Sequence, residues 1–142
     1  MSFSGFLIKL GSGNDAYTIP LKYMRAETYQ ITYSTLDLDS WRDSNGLLNR
    51  KALEHHVAKI EFNVPMMNNV QIKPLIDGIR AFYQNTSAPN QKKVSVTFYN
   101  PETDSYLTQN MYVPDIQFTI RNVDETNNII NYNETRIAFI GY

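Results

Sequence analysis

Residues 68–85 read NNVQIKPLIDGIRAFYQN, and this stretch decides the fold class because it carries the helical periodicity of the chain. The period is that of an amphipathic helix, with apolar side chains every three or four positions: Ile72, Leu75, Ile76, Ile79, Phe82 and Tyr83. Pro74 lacks an N–H group and is therefore tolerated only near a helix start, where an N–H has no intrahelical acceptor. We predict one α-helix over about residues 71–85, starting between Gln71 and Pro74 and closed by Asn85 and the following TSAPN.

The segments on both sides of this helix alternate between apolar and polar residues, as half-buried β-strands do. They cover residues 6–10, 17–23, 28–34, 54–65, 92–100, 107–113, 115–121 and 136–142. Pro20 indicates an edge strand or a bulge in its segment. This order of strands, one helix and strands predicts a single α+β, mainly β domain over residues 1–142. We expect a β-sandwich or barrel of about seven strands with the helix packed on it.

Composition limits the classes of protein. Thirteen Lys and Arg residues oppose fourteen Asp and Glu residues for a net charge of −1, so we expect no tight nucleic-acid binding. The absence of cysteine excludes disulfide frameworks and thiolate zinc sites. The first residues have no signal-peptide pattern and no segment is long enough to cross a bilayer, so we expect neither a cleaved leader nor membrane insertion.

Residues 36–50 read LDLDSWRDSNGLLNR, and ten of these positions (37–46) place three aspartates, an asparagine and a glycine around the only tryptophan. If Gly46 is the sixth residue of an EF-hand loop, Trp41 falls at the first position and Ala52 at the twelfth, where carboxylates are required. The EF-hand interpretation therefore fails, and only an irregular cation site stays open. The DSNG sequence is instead typical of a tight hairpin turn.

Other candidate sites are weak. His55 and His56 are adjacent, so on a strand they point to opposite faces and cannot readily share a metal. GSGN (11–14) has neither the lysine nor the following helix of a phosphate loop. No nucleophile, base and orienting group can be assembled into a catalytic site. We therefore predict no catalytic residues, no metal, no cofactor and no enzyme activity.

The stretch at about residues 34–53 is predicted to be a long protruding loop, and loops of this length are usually functional or disordered. It carries the adjacent Trp41 and Arg42, and both residue types are enriched at interface hot spots. Either a partner covers the tryptophan or the loop folds back onto the domain. The predicted subunit-interface residues are Asp39, Trp41, Arg42, Asp43, Asn45, Leu47, Leu48 and Arg50.

An ordered series of segments resembles a family of small proteins encoded in the tail modules of phages and prophages of Gram-positive bacteria. The segments are SFSGFLIKL, YTIPLKYMRAETYQ, TLDLDSWRDSNGLLNR, KIEFNVP, the helix, TDSYLTQNMYVPDIQFTI and NYNETRIAFIGY. The resemblance covers nearly the whole chain and includes no catalytic motif. It implies a virion structural protein, located in the phage tail and in the host cytoplasm during assembly.

The order of elements also resembles the tail-tube fold, which is shared by tube, terminator and baseplate-hub proteins. This likeness implies a homo-oligomeric ring around a lumen, a hexamer or a trimer, in contact with other phage tail proteins. The loop at about 34–53 would then bridge neighbouring subunits. The alternative is a β-sandwich module of a phage baseplate that binds a receptor or carbohydrate through exposed tyrosines.

Overall fold

The computed structural model describes residues 3–84 and 91–142, with Asp37 described by its backbone alone. Nine β-strands and one α-helix lie within these ranges, together with two short 3-10 turns at Gly13–Asp15 and Leu21–Tyr23. The elements are β1 (Ile8–Leu10), β2 (Tyr17–Thr18), β3 (Gln30–Arg42), β4 (Leu48–Val64), α1 (Asn69–Ala81), β5 (Lys93–Asn100), β6 (Ser105–Tyr112), β7 (Ile120–Asp124), β8 (Ile129–Tyr132) and β9 (Thr135–Gly141).

Seven strands form one antiparallel sheet in the order β2-β1-β5-β6-β9-β4-β3, and β7 and β8 form a separate two-stranded sheet. The predicted mainly β fold with one helix is confirmed, and the predicted seven strands approximate the main sheet. The predicted alternative of a closed barrel is wrong, because the outermost strands β2 and β3 do not pair with each other.

The main sheet is folded over its own core. Strands β6 and β9 pair only at Met111 with Gly141 and at Tyr112 with Ile140, so the two halves of the sheet diverge from this corner. The rings of Tyr33 on β3 and Phe98 on β5 lie 6.3 Å apart, although three strands separate them in the sheet order. The two halves therefore face each other around the core, which approximates the predicted sandwich.

Helix α1 packs on this core through Ile72, Leu75 and Ile79, all of which are buried. It begins at Asn69, slightly earlier than predicted, because Asn68 and Gln71 form a capping box. The Asn68 side chain accepts the N–H groups of residues 70 and 71, and the Gln71 side chain accepts the N–H of Asn68. Pro74 consequently lies in the second helical turn and not at the start.

The helix ends at Ala81, earlier than the predicted residue 85. The Phe82 and Tyr83 N–H groups donate to carbonyls three residues earlier, so the helix tightens and stops. The Gln84 N–H already donates to the Lys93 carbonyl at 2.7 Å, which turns the chain towards β5. The predicted closing residues Asn85 and TSAPN lie outside the described residues.

Three predicted strands are shorter than expected, among them residues 6–10, of which only Ile8–Leu10 form a strand, and one strand is new. In residues 17–23 only Tyr17–Thr18 is a strand, at the predicted sheet edge, since Pro20 cannot donate to a ladder. Residues 115–121 reach strand conformation only from Ile120 onwards. Strand β8 was not predicted; it pairs with β7 and is fixed to the start of α1, where the Tyr132 N–H donates to the Met67 carbonyl at 2.9 Å.

The predicted long loop at about residues 34–53 is a β-hairpin and not a loop. Strand β3 continues to Arg42 and β4 starts at Leu48, so five residues form the connection. Backbone pairing runs through the stretch, with register shifts around Asp37. The prediction failed because the alternation of Leu36 and Leu38 with Asp37 and Asp39 covers only four residues before the polar SWRDSN stretch interrupts it.

Candidate assembly interface

Residues 34–53 form a two-stranded ribbon, called the arm below, that extends beyond the rest of the sheet. Strand β9 pairs with β4 only from Lys59 to Val64. The earlier part of β4 pairs with β3 alone, with Trp41 opposite Asn49 and Arg42 opposite Leu48 near the tip. Because neither broad face of the arm packs on a second layer, its side chains are mostly exposed.

The tip of the arm is a hairpin turn built by Asp43 and Gly46, as DSNG predicts. The Gly46 N–H donates to the Asp43 carbonyl at 3.0 Å, and Gly46 has a φ of 81°, which suits a residue without a side chain. Oδ1 of Asp43 accepts the N–H groups of Asn45 at 2.9 Å and Leu47 at 3.1 Å. Nη1 of Arg42 donates to the Gly46 carbonyl at 2.9 Å. Asp43 is thus a turn-stabilising residue.

The arm is rich in exposed apolar side chains. Trp41 is 54% exposed, which means that it does not fold back onto the domain. Five leucines of the arm are exposed as well: Leu36, Leu38, Leu47, Leu48 and Leu53. Soluble monomers rarely expose so many neighbouring apolar side chains, and such patches usually mark contact surfaces.

The two faces of the arm differ in chemistry, because residues opposite each other on antiparallel strands share a face. One face, called the arginine face below, carries Arg42 opposite Leu48 and Ser40 opposite Arg50. The other face, the tryptophan face, carries Trp41 opposite Asn49 and Asp39 opposite Lys51. The arm therefore presents one apolar and cationic face and one aromatic face of mixed charge.

The base of the arm is anchored by side chains. His56 stacks on Tyr33 with ring centroids 4.8 Å apart and an angle of 13° between the planes. Nε2 of His55 donates to the carbonyl oxygen of Tyr142. The two histidines thus make different contacts. Both line an open cleft of about 270 Å³ between β4 and β6.

Gln109 of β6 forms hydrogen bonds with the backbone of β4 beside this cleft. Its Oε1 accepts the buried N–H of Ala58 at 3.1 Å, and its Nε2 donates to the His56 carbonyl at 2.8 Å. Gln109 replaces the backbone partners that β9 no longer supplies at this point. The arm consequently leaves the domain from a fixed position.

All eight predicted interface residues lie on the arm, divided between its faces and its tip. Arg42, Leu48 and Arg50 are on the arginine face, and Asp39 and Trp41 are on the tryptophan face. The remaining three form the turn: Asp43, Asn45 and Leu47. The predicted set does not include the exposed leucines Leu36, Leu38 and Leu53. The repetition of leucine through an otherwise polar stretch is the sequence feature that could have identified them.

A second group of exposed apolar side chains lies where the β7–β8 hairpin meets the start of α1. We call it the hairpin patch, and its members are Met66, Val70, Phe118, Ile120 and Val123. The two elements are joined by a hydrogen bond from the Ile130 N–H to Oδ1 of Asn69 and by a β-bridge between Asn68 and Asn131. Sequence reasoning missed this surface because β8 was not recognised.

Two kinds of feature are not found among the described residues: a cluster of metal-ligating side chains and a helix that could span a membrane. Among the side chains described in residues 3–84 and 91–142, no three His, Asp or Glu side chains are grouped closely enough to hold a metal ion. In the same part of the chain, no helix is both long enough and apolar enough to cross a membrane.

The fold is similar to that of a chain in a solved structure described as "Tail of empty GTA particle computed with helical refinement, C6 symmetry". The TM-score is 0.50, the sequence identity is 13%, and the alignment covers 97% of this chain and 91% of the other. No curated protein matches the sequence. One family model matches residues 1–142, and it is described as a family of unknown function, DUF6711. The chain belongs to this DUF6711 family.

Proposed function

We propose that this protein is a structural subunit of a phage tail, in the tail tube or in the distal tail and baseplate hub. The fold supports the proposal, because a chain of similar fold belongs to a solved structure described as the tail of an empty GTA particle with C6 symmetry. The similarity extends over nearly all of both chains. The proposed role is structural, and we propose no enzyme activity.

The arm is the observation that carries this proposal. It extends an antiparallel ribbon beyond the sheet and exposes Trp41 and five leucines, the largest group of exposed large apolar side chains among the described residues. Exposing these side chains costs free energy in an isolated monomer, since burying one leucine or valine contributes about 1.5–3 kcal/mol. A neighbouring subunit that covers the arm would recover this free energy.

The edge of the main sheet also favours assembly. Strand β3 is 13 residues long and is the last strand of the sheet, so one side of its backbone has no strand partner among the described residues. Long free edges tend to pair with other chains, and proteins usually cover or interrupt them. Assembly into a ring would cover such an edge through a repeated contact between different surfaces.

The proposed partners are copies of the same chain, in a ring of six or three subunits around a lumen, and other phage tail proteins. The proposed location is the virion, with assembly in the host cytoplasm. A chain with a net charge of −1 would line a conduit without holding passing DNA tightly.

Light scattering coupled to size-exclusion chromatography, followed by negative-stain microscopy, tests the proposal. We expect rings or short tubes at high protein concentration, with a mass that is a multiple of 16.4 kDa. A strictly monomeric protein that no tail protein of the same phage recruits would contradict it. Saccharide binding by such a monomer in a glycan screen would instead support the receptor- or carbohydrate-binding alternative.

A further inference from the structure

The hairpin patch is a second exposed apolar surface, and the arm does not cover it within one copy. Val70 is 62% exposed, and Ile120 and Val123 are each 56% exposed. Val123 lies opposite Ile130 and Ile120 lies opposite Tyr132, so these four side chains share one face of the β7–β8 hairpin. Phe118 extends this face, with its ring centroid 5.4 Å from that of Tyr132.

We propose that the arginine face of the arm docks on the hairpin patch of a neighbouring copy of the same chain. The inference rests on the proposed function and deepens it by naming the surface that receives the arm. Both surfaces combine exposed apolar side chains with charged ones, and both are uncovered in the single chain. Contact between them would bury Leu48 against Ile120 and Val123.

The charges on the two surfaces are complementary. The arginine face brings Arg42 and Arg50, whereas the turn of the β7–β8 hairpin carries Asp124 and Glu125. Arg121 on β7 is an exposed cation beside Ile120, so the proposed charge contact is with the turn and not with the middle of the hairpin. Asp124 also accepts hydrogen bonds from Asn127 and Thr126 within its own turn, and these lower its pKa. Opposite charges at the rim of an apolar contact fix its register and disfavour other orientations.

The proposed contact joins two different surfaces, so it repeats from copy to copy. Each copy donates one arm and receives one arm, and such a heterologous interface closes into a ring when the rotation between copies allows it. This arrangement requires no partner of another kind. It also explains why the chain keeps two separate apolar surfaces instead of one self-complementary surface.

Mixing variants of the full chain tests this pairing. Leu48→Asp disables the arm and Val123→Asp disables the patch, and both residues are at least half exposed, so neither change disturbs the core. We expect each variant alone to remain monomeric. An equimolar mixture should form a one-to-one dimer and no larger ring, because only one intact arm and one intact patch can meet. Leu21→Asp, at an exposed leucine that belongs to neither surface, is the matched control and should assemble like the wild type.

A charge exchange tests the register of the contact. Arg42→Glu should raise the concentration needed for assembly by about tenfold, the effect of breaking one interfacial charge contact. Combining it with Glu125→Arg in the same chain should restore assembly. Lys51→Glu, a charge reversal on the tryptophan face, should not be rescued by Glu125→Arg.

The outcomes separate this inference from the proposed function. If Val123→Asp assembles normally and Leu48→Asp does not, the arm binds another surface; the docking inference is wrong and the tail-subunit proposal stands. Two monomeric variants whose mixture gives no dimer would also overturn the inference. If the wild-type chain itself stays monomeric and no tail protein recruits it, the proposed function fails first.

Discussion

Oδ1 of Asp43 accepts the backbone N–H of Leu47 at 3.1 Å across the tip of the arm. The same oxygen accepts the N–H of Asn45 at 2.9 Å. Both hydrogen bonds tie the Asp43 carboxylate to the backbone of the hairpin turn. The position of Leu47 and the order of the tip depend on this carboxylate.

Asp43→Ala should loosen the tip of the arm without unfolding the domain. Loss of a side-chain acceptor in a turn costs about 1 kcal/mol locally. The measurement is amide hydrogen exchange, which should accelerate at residues 45 and 47 and stay unchanged in β5. Glu102→Ala, at an exposed acidic residue in another turn, is the control. Unchanged exchange at Leu47 would show that Asp43 does not hold the turn.

Gln109→Leu should destabilise the whole domain. The substitution leaves the buried Ala58 N–H without its acceptor, and an unsatisfied buried donor costs about 1–3 kcal/mol. Urea unfolding, monitored by far-UV circular dichroism, measures the change in the free energy of unfolding. Gln117→Leu, at an exposed glutamine, should change that free energy by less than about 0.5 kcal/mol. Equal effects of the two substitutions would refute the bridging role of Gln109.

Tyr29→Phe should stabilise the protein. The Tyr29 hydroxyl is buried without a hydrogen-bond partner among the described residues, while its ring stacks on Phe62 with centroids 6.0 Å apart. Removing the hydroxyl should raise the free energy of unfolding by about 1 kcal/mol. Tyr106→Phe should have the opposite effect, because the Tyr106 hydroxyl accepts the Ser4 N–H and donates to the Phe6 carbonyl.

The same tyrosine predicts a pH dependence in the alkaline range. Burial raises the pKa of Tyr29 above its ordinary value of 10.0, so only the unfolded chain ionises this group readily. Stability should therefore fall as the pH rises above about 10. Denaturant midpoints at a series of alkaline pH values should show a smaller loss in Tyr29→Phe than in the wild type. Parallel curves would contradict the assignment.

Glu61→Gln should make the free energy of unfolding less dependent on pH in the acid range. A hydrogen bond from Arg136, donated by Nε at 2.9 Å, lowers the pKa of Glu61 below its ordinary value of 4.5. The pair therefore contributes stability above pH 4.5 that is lost as the pH falls through the lower folded-state value. Both side chains are partly exposed, so the contribution is at most about 1 kcal/mol. Denaturant midpoints of the two proteins should differ at pH 7 and converge near pH 3.

The helix and most strands could be predicted because their patterns come from one-sided burial. Strand β5 alternates strictly between buried and partly exposed residues, and α1 buries a stripe of three side chains. The exact helix start depended on the capping box of Asn68 and Gln71, which the sequence contains but which the apolar period alone does not locate. Tertiary hydrogen bonds, such as that of Gln84 with Lys93, ended the helix earlier than the pattern indicated.

The arm and strand β8 could not be predicted because neither is formed by burial of one face. The arm is held by its own backbone ladder, and its side chains stay exposed on both faces. Strand β8 depends on β7 and on contacts with residues 67–69. The predicted interface residues nevertheless lie together on the arm, because the tight turn at DSNG and the exposed Trp41 are local properties of the sequence.

The mass of the assembled species, compared between the wild type and Trp41→Ala, tests the central claim most directly. Truncating an interfacial tryptophan costs about 2 kcal/mol or more, which is a shift of about thirtyfold in the concentration needed for assembly. Leu21→Ala, at a leucine exposed outside the arm, is the control. We predict multi-subunit rings from the wild type and the control, and monomers with unchanged circular dichroism from Trp41→Ala. Rings of the same mass from Trp41→Ala, at the same protein concentration as the wild type, would contradict an arm that joins subunits.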